Sequence, residues 1–179
     1  NEYGKAEVAQ LRIALEEVSG RDLNWFFNQW YFDNGHPKLT VISDYSPSNK
    51  KVKVIVRQDA SKLFEFPFAI DIVENGKTIR QQVWVPKKAE TTFEFTANQK
   101  PSVVIPNADQ VLLADIEDKK PVEDFIAQYK AGKGNYVTRM LAIESIANAQ
   151  ASNTKAVDAL IEALNDPFDG IRIKAIEKL

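Results

Sequence analysis

The chain contains no cysteine, which removes disulfides, thiolate metal sites and cysteine nucleophiles together. Histidine occurs once, at His36, so a zinc motif built on two histidines cannot be assembled from these residues. The seven glycines never form a phosphate-cradling run, which leaves a nucleotide site unsupported. No apolar run approaches the roughly 20 residues that a membrane-spanning helix needs, and no charged-then-apolar leader opens the chain, so no membrane partner is expected. Asn-x-Ser/Thr sequons are absent as well. Basic residues are not in excess, with 23 Lys plus Arg against 25 Asp plus Glu, and the lysine pairs at 50–51, 87–88 and 119–120 are scattered. That distribution offers no footprint for a phosphate backbone, and no nucleic-acid partner is expected. Methionine occurs only at Met140, so the chain reads as processed or cut from something longer. None of this fixes the compartment.

What is present is a globular composition, 44% hydrophobic and 10% aromatic over 179 residues, enough for one large or two small domains. Aromatics concentrate in Asp22 to Pro37, where Trp25, Phe26, Phe27, Trp30, Tyr31 and Phe32 fall together. With Asp22 as N-cap and Gly35 as helix-ending residue, the stretch predicts a helix of about three turns whose apolar surface wraps most of its circumference and must be buried. Before it, Val8, Leu11, Leu15 and Val18 predict an amphipathic helix from Lys5 to Val18, ended by Ser19 and Gly20. A helical hairpin of this size is too small to stand alone, so it is expected to belong to a larger upstream body.

After Pro37 the period changes to two. Residues 39–45, 51–58, 66–74, 78–85, 91–96, 102–105 and 111–116 read as short strands, with Asn75-Gly76 a strong type I′ hairpin signal. Seven strands in about 80 residues predict an immunoglobulin-like antiparallel β-sandwich. From Asp118 the period returns to helical. Val122, Phe125, Ile126 and Tyr129 form one stripe; Val137, Met140, Leu141, Ile143 and Ile146 form a second, capped by Asn135. A third, capped by Thr154, carries Val157, Leu160, Ile161 and Leu164. A fourth starts near Gly170 with Ile173, Ile176 and Leu179. Arg139, Ala142 and Ile146 recur as Arg172, Ala175 and Leu179, always 33 residues apart (172 minus 139). The unit looks like a HEAT-like helical hairpin, with a period shorter than the usual ~40 residues. Chance similarity between amphipathic helices is the competing reading.

The run Ser19, Gly20, Asp22, Leu23, Phe26, Phe27, Gln29, Trp30, Gly35 and Pro37 resembles the closing helices of the catalytic domain in the aminopeptidase N family of zinc metallopeptidases, the gluzincins. There, a Ser-Gly-x-Asp-Leu opening, a Phe-Phe-x-Gln-Trp core and a Gly-x-Pro exit lead into a β-sandwich. The resemblance implies a multidomain α+β order: residues 1–36 as the last helices of a missing catalytic domain, 37–117 as the β-sandwich, and 118–179 as a truncated HEAT-like α-helical domain. It implies a parent that removes amino-terminal residues from peptides with a zinc ion held by His-Glu-x-x-His and a further Glu. A Tyr there steadies the oxyanion, and acidic residues near Gly-x-Met-Glu-Asn hold the substrate amine. None of these motifs occurs in this sequence.

The residues themselves offer no catalytic constellation. His36, in a turn between Gly35 and Pro37, could join a shared metal site, but without a ligand partner nearby it reads as a structural turn residue. Glu16 and Glu17 diverge by about 100° on a helix and read as a solvated face. Tyr3, Tyr45 and Tyr136 lack a base or metal beside them. Phe64, Phe66 and Phe68 could stack nucleic-acid bases, yet their alternate spacing fits a sandwich core. Trp84 reads as a rim residue. No catalytic, cofactor-binding or metal residue is therefore assigned, and zinc is expected only in the parent. Two functions are carried forward. One is a non-catalytic carboxy-terminal piece of an aminopeptidase, serving as spacer and lid scaffold beside the missing catalytic domain; the other is a non-enzymatic interaction scaffold of sandwich plus solenoid. Self-association through exposed helical ends, led by Trp25, Phe26 and Trp30, is a further expectation.

Overall fold

The computed structural model describes residues 4–132 and 135–179; Tyr3 lies outside them. The chain divides into two compact units, Asn1–His36 and Pro37–Leu179.

In the first unit, α1 spans Val8–Ser19. Its start is fixed by a reciprocal capping box between Glu7 and Gln10. Its end is fixed by Gly20 at φ 65°, whose N–H returns to Glu16 O at 2.8 Å, the left-handed turn that glycine adopts without penalty. The aromatic stretch departs from the expected three-turn helix. A single α-turn, α2 (Asn24–Phe26), opens into a π-helical segment, Phe27–Tyr31, where Phe32 N–H reaches back five residues to Phe27 O at 2.9 Å. Asp22 is displaced from the N-cap: its Oδ1 accepts from Asn24 N–H at 2.7 Å, a local Asx-turn that starts the helix later. The rings form a chain of neighbours, Trp25–Phe26 at 5.7 Å, Phe26–Phe27 at 5.6 Å, Phe27–Tyr31 at 6.0 Å and Tyr31–Phe32 at 5.3 Å. Burial of the whole cluster is not observed. Phe27 is 2% exposed, but Phe26, Tyr31 and Phe32 are 42%, 57% and 64% exposed.

The second unit holds two sheets and four helices. Strands β1 (Lys38–Ser46), β2 (Lys51–Gln58), β5 (Glu90–Thr96) and β7 (Asp115–Lys119) form one sheet in the order β5-β2-β1-β7. Strands β3 (Phe66–Glu74), β4 (Lys77–Val85) and β6 (Val103–Pro106) form the other in the order β4-β3-β6. All pairings are antiparallel except β1 with β7, which is parallel in the register Leu39 to Ile116. The predicted strand at 111–116 is misplaced. Residues 111–114 lie in no regular element, Val111 and Leu113 are well exposed, and β7 begins at Asp115. Asn75 (φ 52°) and Gly76 (φ 72°) make the tight β3–β4 turn, the two left-handed positions of a type I′ hairpin.

Strand β3 sits at the centre and is buried on both faces, every residue but Pro67 being inaccessible. One face contributes Phe66, Phe68, Ile70 and Ile72 to the interior shared with Val41, Val52, Val54 and Val56. On the opposite face, which also carries Pro67 and Asp71, the small residues Ala69 and Val73 pack with Val103, Ile105, Ala108, Ala127 and Ala131. Small side chains let α3 (Val122–Ala131) lie close against the sheet, so β3 is walled by a sheet on one side and a helix on the other. Polar groups on this strand are paired: Arg80 holds Asp71 in two hydrogen bonds of 2.7 and 2.9 Å, and Glu74 accepts from Gln99 N–H at 3.0 Å.

Helix α4 spans Tyr136–Ala149, α5 Thr154–Ala163 and α6 Asp169–Lys178. Asn135 caps α4 as expected, accepting from Thr138 N–H at 3.1 Å. Asn153, not Thr154, caps α5, accepting from Lys155 N–H at 3.0 Å. The helices share a core of Ala142, Ile143, Ile146, Ala159, Leu160, Ala163, Ile171 and Ala175 with Tyr129. The buried faces are rotated from those expected. Val137, Leu141, Ile161, Ile173, Ile176 and Leu179 are exposed, whereas Thr138, Arg139, Ala156 and Ala175 are buried. The alanine-rich stripe permits closer helix approach and wins over the stripe of larger residues. The architecture is multidomain α+β with two largely antiparallel sheets. Among the described residues, no helix is long and apolar enough to cross a membrane.

Candidate functional site

Within each unit, the described residues weighed for chemistry from sequence are engaged separately. Glu16 is committed to Arg12 at 2.7 and 2.8 Å and to Leu23 N–H at 2.8 Å, while Glu17 points into solvent. His36 is half-buried at the end of the first unit. Tyr45 lies on β1, and Tyr136 packs its ring on Phe168 at 4.5 Å. Phe64, Phe66 and Phe68 are buried in the second unit at 0–1% exposure, which leaves no face for a base to stack on. Trp84 stands partly exposed on β4. Among the described residues, no group of three His, Asp or Glu is arranged to hold a metal ion.

Two buried polar networks emerge that sequence reasoning did not assemble. In the first, Asp166 at the end of α5 receives Arg139 Nη1 from α4 at 2.5 Å on both oxygens, Tyr129 Oη from α3 at 3.0 Å and Phe168 N–H at 2.9 Å. Burial works to raise the Asp166 carboxyl. The hydrogen bonds from Phe168, Arg139 and Tyr129 outweigh it and hold the group below the ordinary carboxylate range. Burial first, then the bond to Asp166, pushes the Tyr129 phenol far up, so it stays a donor. Arg172 adds its Nη1 to Asp166 O at 2.7 Å and Pro167 O at 3.1 Å. Arg139 and Arg172 are the arginines that recur 33 residues apart in the sequence, and the turn at Asp166 is where both converge.

In the second network, Lys120 Nζ is 1% exposed in its side chain and meets Asp118 Oδ2 at 2.6 Å, Gln128 Oε1 at 2.6 Å and Val104 O at 3.0 Å. Its ammonium also lies 4.8 Å from the Phe125 ring centroid. Burial lowers the Lys120 ammonium and raises the Asp118 carboxyl, with each partner pulling the other back. Lys120 was read from sequence as one of a scattered surface pair; it is instead a pin between β6, β7 and α3. Apart from Arg139 Nε, which has no partner, the donors named in both networks are spent on protein acceptors, so the networks hold elements together rather than offer a nucleophile with a base beside it.

No family profile matches this sequence. By sequence the chain is 33% identical over 99 residues to aminopeptidase N of Escherichia coli (strain K12), a match covering 46% of this chain and 11% of that protein. It therefore spans about a tenth of the length of this curated relative. By structure it is similar to an aminopeptidase A from Legionella pneumophila solved in complex with aspartic acid, with a TM-score of 0.74 at 16% identity over 92% of this chain and 20% of that one. The chain is related to aminopeptidases in sequence and shares its fold with part of one.

Proposed function

We propose that this chain is the carboxy-terminal portion of a zinc aminopeptidase of the gluzincin type, and that it is a scaffold rather than the seat of catalysis. The observation that carries the reading is the sequence similarity to the Escherichia coli enzyme, together with the ordered run from Ser19 to Pro37. On this reading residues 1–36 close a catalytic domain, 37–117 form an immunoglobulin-like spacer, and 118–179 begin a HEAT-like array. Support for the array comes from Arg139 and Arg172, the repeat-related pair, which both converge on the Asp166 turn. Support for the spacer comes from seven strands divided between a four-stranded and a three-stranded sheet. Zinc is assigned to the longer protein, where it would polarise the scissile carbonyl and activate water. This chain's part is to border the cleft and limit access to it.

The test begins upstream of Asn1, where the gene is expected to encode His-Glu-x-x-His with a downstream Glu. The longer protein then hydrolyses aminoacyl anilides and loses that activity on chelation, while the 179-residue chain shows neither turnover nor one zinc per chain by elemental analysis. Turnover or stoichiometric zinc in the isolated chain refutes the scaffold assignment. A degraded motif or an unrelated domain upstream transfers the chain to the class of non-enzymatic interaction scaffolds.

A further inference from the structure

Within the second unit, a cavity of about 350 Å³ opens between the β6–β7 connection and helices α3 and α4. Its polar walls include Asn107, Glu117, Asp118, Gln128, Glu144 and Ser145, and no lysine, arginine or histidine lines it. Three donors on these walls are used within the protein: Gln128 Nε2 gives to Thr138 O at 3.0 Å, Gln110 Nε2 to Asn107 O at 2.7 Å and Ser145 Oγ to Leu141 O at 3.1 Å, while the amides of Asn107 and Asn148 complete the wall. Acceptors are left over. Asn107 is 6% exposed, and its buried Oδ1 has no hydrogen-bond partner, a deficit that a native structure corrects with a donor from somewhere. Asp118 uses Oδ2 on Lys120. Glu117 accepts a long hydrogen bond from Thr40 Oγ1 at 3.4 Å and has Lys119 at 3.4 Å, and Glu144 has Lys174 at 3.5 Å.

A cavity walled by three carboxylates and no cationic side chain favours an occupant that brings positive charge and donors. A compact divalent ion does not fit, since it needs several oxygens within about 2.6 Å of one point, and no three acidic side chains among the described residues converge that way. A guanidinium carries five donors spread over a plane and an ammonium carries three. Either can reach separate acceptors while its aliphatic stem lies on Ile116, Phe125 and Leu141, which also line the cavity. We propose that this cavity is a binding site for the side chain of an arginine or lysine in a peptide, with Asn107 Oδ1, Asp118 and Glu144 as its acceptors. The site is independent of the zinc chemistry assigned to the longer protein.

The probe is N-acetyl-arginine amide, titrated into the isotope-labelled 179-residue chain and followed by backbone amide NMR, with N-acetyl-norleucine amide as the uncharged control. Saturable shifts are expected at the amides around Asn107, Glu117–Asp118 and Glu144–Ser145, in the millimolar range usual for so small a ligand. Glu144→Gln weakens binding about tenfold and Asn107→Asp, which adds a charge at the same shape, strengthens it by a similar factor. A linear titration, an equal response to the norleucine probe, or saturation at amides elsewhere overturns the site, as does an unchanged affinity in both variants. Because the readout is binding by this chain alone, its failure leaves the aminopeptidase reading untouched.

Discussion

Replacing Asp166 with alanine isolates the contribution of the larger polar network. The side chains of Asp166 and Arg139 are 3% and 10% exposed, so removing Asp166 leaves a guanidinium that is largely out of water without its partner. Arg139 Nε already lacks a partner, and Tyr129 and Phe168 lose their acceptor in the same stroke. Stranding a buried charge in this way costs about 3–5 kcal/mol, and the lost bonds to Tyr129 and Phe168 fall within that figure rather than adding to it. Urea unfolding followed by far-ultraviolet circular dichroism measures the loss, and amide hydrogen exchange locates it in α3–α6. The double variant Arg139→Met/Asp166→Leu removes both charges and is expected to unfold within about 1 kcal/mol of wild type, since apolar replacement of a buried pair is often neutral. The pH dependence has a definite sign. Because the folded carboxyl lies below its ordinary value of 3.8, its contribution is complete above that value and disappears as pH falls through the folded one. The gap between wild type and Asp166→Ala therefore narrows only in strong acid. A single-variant loss under about 1 kcal/mol at neutral pH, or a double variant as unstable as the single, would refute the argument that this charge is held by its partners.

Two further outcomes follow from local geometry. Gly76→Ala places a side chain in open space, with nothing within 4 Å of the new Cβ, at φ 72°; the loss is backbone strain alone, about 1–2 kcal/mol, and a change under about 0.5 kcal/mol in urea unfolding would contradict a type I′ turn there. Exposure of Phe26, Tyr31 and Phe32 predicts concentration-dependent mass in static light scattering that is abolished by the triple change to Ser, Gln and Ser; a wild-type chain that stays monomeric to high concentration rules out self-association through these rings.

Local signals were the most legible part of the sequence. Gly20, Asn135 and the Asn75-Gly76 pair each act through their own backbone or a neighbour a few residues away, and each is found in the role its chemistry implies. Errors arose where the outcome depends on distant partners. Lys120 looks like any surface lysine until Val104, Asp118 and Gln128 are brought around it. The helix faces were set by size, which favoured Val137, Leu141 and Ile161. The fold instead buries Ala142, Ala156 and Ala163 and tolerates Arg139 because Asp166 awaits it. At α5, Asn153 and Thr154 are both good caps, and a one-residue ambiguity of this sort is resolved only by the backbone. Nothing in a one-dimensional pattern distinguishes a π-turn from an α-turn when six of the eight positions from Trp25 to Phe32 are aromatic.

The double walling of β3 has a mechanical consequence. A helix seated on alanines and valines has no long side chains to slide over, and the Lys120 pin ties the same corner to β6 and β7. Tilting α3 away from the sheet would open a dry seam and unseat a cation in one movement, so the joint at this position behaves as a stiff elbow. If a longer protein must gape to admit cargo, the yielding element has to be sought at some other seam.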